Sequence, residues 1–167
     1  MRLGIISDTH NDLVRTRFAV RTLLAAGIDA IAHCGDLSSP PIVEACAVRP
    51  CWFVFGNHDA DSVPALERAA DEFGATCLGW GGVIEFSGIR IGVAHGHLTT
   101  DVTRVLESRP DYFLFGHTHI ASDETIDGVR RINPGALFRA ENFTAAILEP
   151  TSGRLEFVTI ARYPGLT

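Results

Sequence analysis

Short apolar runs that each stop at a cluster of polar or histidine residues constrain this chain more than any other feature of it. "LGIIS" (3–7) runs into Asp8-Thr9-His10, "DAIA" (29–32) into His33 through Asp36, and "WFVFG" (52–56) into Asn57-His58-Asp59. "IGVA" (91–94) then meets His95-Gly96-His97, and "YFLFG" (112–116) meets His117-Thr118-His119. Runs this short and this apolar read as buried strands. Between the first three the period turns helical. Leu13, Val14, Phe18, Leu23 and Leu24 form a stripe closed by Gly27, and Pro40 or Pro41 opens a helix to about Val48. "SVPALERAADEFG" (62–74) is a helix with a capping Ser62 and a terminal Gly74. Such alternation predicts parallel βαβ units.

The second half changes character. "GVIEFSGIRIGVAHG" (82–96) reads as a hairpin turning at Ser87-Gly88, and residues 99–108 as a short helix. The last segments turn at Asp127-Gly128 and at 151–153. The expected fold is one α/β domain over residues 1–167, parallel early and antiparallel late, with two sheets packed together and helices outside. That length supports one core and falls short of the about 250 residues of a (β/α)8 barrel.

Composition removes several chemistries. All 14 basic residues are Arg, so no lysine is available for a Schiff base or a Walker loop. Cys34, Cys46, Cys51 and Cys77 contain no C-x-x-C pair and begin no Cys-x5-Arg loop, and they read as small buried hydrophobes in a reducing compartment. A net charge of -6 with scattered arginines gives no general nucleic-acid surface. No window approaches the roughly 20 apolar residues of a membrane span, and Met1-Arg2 leads straight into a strand. A soluble, cytoplasmic protein is expected, with Trp80 or Phe143 available to a homo-oligomer interface.

None of the seven histidines lies inside a helical pattern; each follows or ends an apolar run. Parallel α/β sheets place ligands at the carboxyl ends of their strands, so the five clusters can converge. In extended chain, residues i and i+2 point to one side, so Asp8 with His10, and His117 with His119, would each offer two donors to one place. With Asp36 and Asn57 the set mixes carboxylates, imidazoles and an amide oxygen. It is too large for one tetrahedral zinc and too nitrogen-rich for calcium, and it suits two first-row ions sharing a carboxylate, for which Asp36 is chosen. Any one cluster is as readily a turn or a cap. Five at strand ends in one small chain reverse that balance.

The ordered motifs D-x-H (8–10), G-D (35–36), G-N-H-D (56–59), H-G-H (95–97) and G-H-x-H (116–119) resemble those of the calcineurin-like metallophosphoesterases. Short length and "INPGA" (132–136) are most similar to the small YfcE-like phosphodiesterase branch. The resemblance implies a four-layer α/β/β/α sandwich of two mixed sheets. It also implies that Asp8, His10, Asp36 and His119 hold one metal and that Asp36, Asn57, His95 and His117 hold a second. Manganese is the expected ion, with nickel, iron, cobalt or zinc as alternatives. Members of the branch often carry Cys where this chain has His58, and NPGS where it has Asn133-Pro134-Gly135-Ala136.

The expected activity is hydrolysis of a small phosphodiester or nucleotide by a metal-bridging hydroxide, with the ions roughly 3.5–4 Å apart. His58, beside Asn57 but outside the ligand set, is the expected proton donor to the leaving group, oriented or charged by Asp59. His33 is expected in the core or supporting a ligand. His97 is a candidate substrate contact and Arg139 a candidate phosphate contact, each with a plain structural alternative. Substrate specificity is expected from loops such as 60–63 and 98–101. A phosphomonoesterase is the nearest alternative, and a non-catalytic scaffold with the same fold is the other.

Overall fold

Leu3 and Ile5 face one side of the first strand and Gly4 and Ile6 the other, and both sides are buried. This two-sided burial is why the segment reads as an unbroken apolar run, as strands covered on both faces do. The computed structural model describes residues 1–161. The elements run β1 (Leu3–Ile6), α1 (Leu13–Ala25), β2 (Ala30–His33), α2 (Pro40–Cys46), β3 (Cys51–Phe53), α3 (Val63–Phe73), β4 (Thr76–Cys77), β5 (Gly81–Phe86) and β6 (Ile89–Ala94). They continue with α4 (Thr99–Glu107), β7 (Tyr112–Leu114), β8 (Ser122–Ile126), β9 (Val129–Asn133), β10 (Thr144–Glu149) and β11 (Arg154–Thr159).

One sheet has the order β11-β10-β1-β2-β3-β4, parallel from β1 to β4 and antiparallel beyond β1 on the other side. The other has the order β5-β6-β7-β9-β8, with β6, β7 and β9 parallel and an antiparallel strand at each edge. Strand alternation sorts the core into three layers. Ile6, Ile31 and Phe53 meet Leu23 of α1, Ile42 of α2 and Leu66 of α3. Leu3, Ile5 and Ala32 meet Ile91, Leu114 and Ile132 between the sheets. Ala94 and Phe113 meet Val105 of α4. Each large side chain buried this way contributes roughly 1.5–3 kcal/mol. The result is the expected α/β/β/α sandwich of two mixed sheets.

Several local expectations are corrected. Ser62 does not cap α3 with its side chain, because a 3-10 turn over Ala60–Ser62 leads directly into the helix, and the Ser62 hydroxyl donates to the Ser38 carbonyl. The two-residue strand β4 carries too little pattern to be read from sequence. Phe143 is not available to an interface, since it is buried with the Arg15 guanidinium 3.8 Å above its ring. Of the cysteines, Cys34, Cys46 and Cys51 are buried as expected and Cys77 is half-buried. No helix among the described residues is long and apolar enough to cross a membrane.

Candidate metal centre

The carboxyl ends of β1, β2 and β3 in one sheet meet those of β6, β7 and β9 in the other, and hydrogen bonds cross between them. The His117 amide of the second sheet donates to Asp8 Oδ2 of the first at 3.0 Å, and His95 Nδ1 donates to the Cys34 carbonyl at 2.8 Å. That second bond leaves His95 Nε2 to face the centre. Asp36 Oδ2 sits between two imidazoles, 3.4 Å from His10 Nε2 and 3.3 Å from His95 Nε2. Asp8 Oδ1 lies 3.1 Å from His119 Nε2 and 3.9 Å from both His10 Nε2 and His95 Nε2. Asn57 Oδ1 is 3.2 Å from His95 Nε2, and the His117 ring is 5.2 Å from the His95 ring. All seven sequence-predicted donors are therefore brought to one place.

They do not converge as extended chain. Asp8 (φ 53°), His10 (φ 42°), Asp36 (φ 59°), His117 (φ 66°) and His119 (φ 60°) all take left-handed backbone conformations. Asp8 and His10 do offer donors to one place, as expected, but the expected sharing of one side by His117 and His119 is corrected. His119 turns toward Asp8, whereas His117 turns toward His95, because each left-handed residue redirects the chain. Such conformations are costly for side chains with a Cβ and persist where surrounding contacts over-determine them. Here the parallel ladder continues past the strands: Asp8 N donates to Gly35 O at 3.0 Å, His10 N to Asp36 O at 2.9 Å, and Asn11 N to Leu37 O at 3.1 Å.

The donor chemistry fits divalent cations. Ligand atoms of Asp8, His10 and His119 lie within 4.8 Å of one another, as do those of Asp8, Asp36 and His95. Asp8 Oδ1 and His10 Nε2 are buried and make no hydrogen bond. Buried polar atoms are normally satisfied, so two orphans facing each other mark a place built for something else. Burial opposes ionisation of Asp36, yet the His95 hydrogen bond and charge, the His58 amide and the charge of His10 hold its carboxyl at about 2. Burial likewise opposes protonation of His95, but Asp36 and Asp8 outweigh it and raise its proton affinity. The same negative field would hold a cation.

Asp59 has a different task from the one expected. Its buried carboxylate accepts from four backbone amides: Asp36 at 2.9 Å, Leu37 at 3.2 Å, Ser38 at 2.7 Å and Gly56 at 2.8 Å. It clamps the Asp36 loop to the Asn57 loop, and this commitment removes it from catalysis beside His58. His58 is exposed, its ring 4.8 Å from that of His10, and its amide donates to Asp36 Oδ1 at 2.8 Å. A ligand nitrogen of His58 also lies within 4.8 Å of those of His10 and Asp36.

The remaining candidates line the rim. His97 is half-buried, 5.8 Å from the Trp80 ring and 5.3 Å from that of His95, and its buried Nδ1 has no hydrogen bond. Desolvation first, then the charges of His95 and His117, lower its pKa. Arg139 is exposed with its guanidinium 5.1 Å over the Phe138 ring, which packs 5.0 Å from His10. His33 supports the ligands as expected. It accepts from Gly35 N through Nδ1 at 3.2 Å, which places its proton on Nε2, 3.1 Å from Thr9 Oγ1; that hydroxyl donates to Asp36 O. Burial lowers its pKa to about 3.

Sequence reasoning missed two supports. Ser7 Oγ donates to Asp8 Oδ2 at 2.6 Å. Asn133 donates to Gly116 O at 2.8 Å and to Thr118 Oγ1 at 3.0 Å, holding the loop of His117 and His119. The signal for Asn133 was its place at the end of β9, beside β7. Ser7 carried none, since a serine after a strand is commonplace.

Residues 1–153 match the calcineurin-like phosphoesterase superfamily domain. The chain belongs to the calcineurin-like phosphoesterase superfamily. It is 27% identical over 138 residues to a phosphodiesterase of Methanocaldococcus jannaschii, covering 81% of this chain and 83% of that one. It is 30% identical over 169 residues to the probable metallophosphoesterase YsnB of Bacillus subtilis, covering 94% and 90%. An archaeal phosphodiesterase shares the fold with a TM-score of 0.83 at 24% identity, over 95% of this chain and 99% of that one. So does the phosphoesterase YfcE of E. coli, with a TM-score of 0.67 at 18% identity over 96% and 100%. Zinc-bound Vps29 of Entamoeba histolytica has a TM-score of 0.60 at 17% identity over 96% and 100%, a likeness of fold alone. As a superfamily member, the chain is a metal-dependent phosphoric ester hydrolase.

Proposed function

We propose that this calcineurin-like phosphoesterase is a binuclear phosphodiesterase acting in the cytoplasm on a small phosphodiester or nucleotide, with residues 1–167 working as one domain. The observation that carries this reading is Asp36 Oδ2 held between His10 Nε2 and His95 Nε2, one carboxylate common to two donor clusters. Asp8, His10, Asp36 and His119 would hold one ion, and Asp36, Asn57, His95 and His117 the other. When bound, two such ions supply positive charge to the phosphoryl oxygens and an activated water at neutral pH; manganese is the proposed metal.

The chain's own residues do the rest. Asp36 sets the spacing of the clusters, Ser7 fixes the Asp8 carboxylate through its hydroxyl, and Asp59 and His33 hold the loop that carries Asp36. His58, exposed beside His10, donates a proton to the departing alkoxide. Arg139 and His97 orient the phosphate and its substituents. The test is hydrolysis of a chromogenic phosphodiester and the matching monoester by metal-stripped protein with single metals restored. Turnover that returns with metal and favours the diester supports the reading. Preference for the monoester makes the chain a phosphomonoesterase, and no turnover with any metal removes the enzyme reading.

A further inference from the structure

Two aromatic side chains flank the metal centre, and neither lies in a loop expected to set specificity. On the His10 side, Phe138 packs 5.0 Å from the His10 ring and already carries the Arg139 guanidinium over its own ring. On the His95 side stands Trp80, half-buried, with its ring 5.8 Å from that of His97. The His97 ring is in turn 5.3 Å from the His95 ring and 6.1 Å from the His117 ring. Behind Trp80, Phe55 makes a T-shaped contact at 5.5 Å. The Phe55 amide donates to the Gly79 carbonyl at 2.7 Å, which pins the residue before Trp80 to the chain that carries Asn57.

We propose that Trp80, with His97 beside it, is the platform on which a planar aromatic substituent of the phosphodiester stacks, a nucleobase being the natural case. The assignment rests on the phosphodiesterase reading of the metal centre. The His97 ring adjoins both the indole and the rings of His95 and His117, so a phosphoryl group held at that cluster has its substituent within reach of Trp80.

Neither ring is committed to the protein by a hydrogen bond. The indole N–H of Trp80 has no acceptor among the described residues, and His97 Nδ1 is buried without a partner. Tryptophan N–H groups usually find a partner when they are enclosed, so packing alone holds this indole and its polar edge is left for a ligand. A base offers a π face to lie on the indole and polar edges to meet these atoms. An aliphatic alcohol offers neither, and the platform therefore selects for flat substituents.

The experiment measures inhibition of bis(p-nitrophenyl) phosphate hydrolysis by adenosine 5′-monophosphate and by ribose 5-phosphate, which lacks only the base. Manganese-loaded wild type is compared with Trp80→Leu and Trp80→Phe. Leucine keeps an apolar side chain against Phe55 but removes the plane, so the advantage of the adenosine compound over the ribose compound is expected to fall roughly fivefold or more. Phenylalanine is expected to restore most of it. An unchanged ratio in Trp80→Leu, or an equal fall in Trp80→Phe, overturns the platform. A second arm needs no turnover. The two tryptophans of the chain are Trp80 and Trp52, and Trp52 packs between the sheets against Phe86. Adenosine 5′-monophosphate should quench wild-type indole fluorescence, ribose 5-phosphate should not, and Trp80→Phe should abolish the quench. No quench in the wild type, or one retained in Trp80→Phe, overturns the platform even if diesters are cleaved. Failure to cleave any diester counts against the phosphodiesterase reading instead, and the fluorescence titration still decides the platform.

Discussion

His58 and Asp59 are neighbours in sequence with unrelated duties. Asp59 was expected beside the reacting groups because carboxylate and imidazole are adjacent, but it turns inward to four amides while His58 turns outward. Asp59→Ala strips those buried donors of their acceptor at roughly 1–3 kcal/mol for each left unsatisfied. Urea denaturation should show a loss of about 4 kcal/mol or more, with metal affinity falling because Asp36 loses its clamp. His58→Ala should keep the metal content of the wild type and lower turnover on esters of poor leaving groups by roughly 100-fold, the lower range for general acid catalysis. Hydrolysis of p-nitrophenyl esters should change far less. If elemental analysis instead gives one metal per chain, His58 is a ligand with His10 and Asp36.

The buried His33 gives a pH dependence of known sign. Its folded pKa of about 3 lies below the unfolded value of 6.5, so between these the unfolded chain binds the extra proton. Stability therefore rises with pH through that window and is lost as pH falls through it, by up to about 1.4 kcal/mol per pH unit from this one group. Denaturation of metal-stripped protein between pH 6.5 and 4 should show this slope, and His33→Gln should flatten it. An unchanged slope would mean that other groups carry the acid sensitivity.

At the scale of elements, the loops after the strands are tighter than their sequences suggest. A Cβ at Gly116 would strike Ser7 Oγ and Asp8 Oδ2, and one at Gly56 would strike the Asp36 carboxylate. These glycines are there for close approach rather than for turning. Gly116→Ala should lower metal affinity roughly 10- to 100-fold, as losses of supporting contacts to ligands do, while far-UV circular dichroism stays that of the wild type. A retained affinity would show that the β7 loop can shift without the ligands. The βαβ half was legible because strands buried on both faces and stripes ending in Gly27 and Gly74 are strong local signals. Strand β4 and the Ala60–Ser62 turn were not, since two or three residues have no period and tertiary contacts decide them.

For the whole molecule, the sandwich brings six strand ends from two sheets to one edge, and this explains why the histidine clusters are so far apart in sequence. The donor set was readable because its members are chemically distinctive and each follows an apolar run. How they converge was not, because the left-handed backbone at Asp8, His10, Asp36, His117 and His119 leaves no local mark, and at Asp8, His10 and Asp36 it is held by a ladder that continues between loops distant in sequence. Nor was loop 137–142, whose residues look like ordinary surface until the Ala136–Phe143 bridge folds them against His119. The central claim is that Asp36 joins two metal positions. The most direct measurement is metal content with electron paramagnetic resonance of the manganese-loaded wild type and Asp36→Asn. Two manganese ions per chain with a spin-coupled spectrum are expected in the wild type, and loss of coupling and of diester hydrolysis in the variant. A single uncoupled ion per wild-type chain, or undiminished hydrolysis by Asp36→Asn, would contradict it.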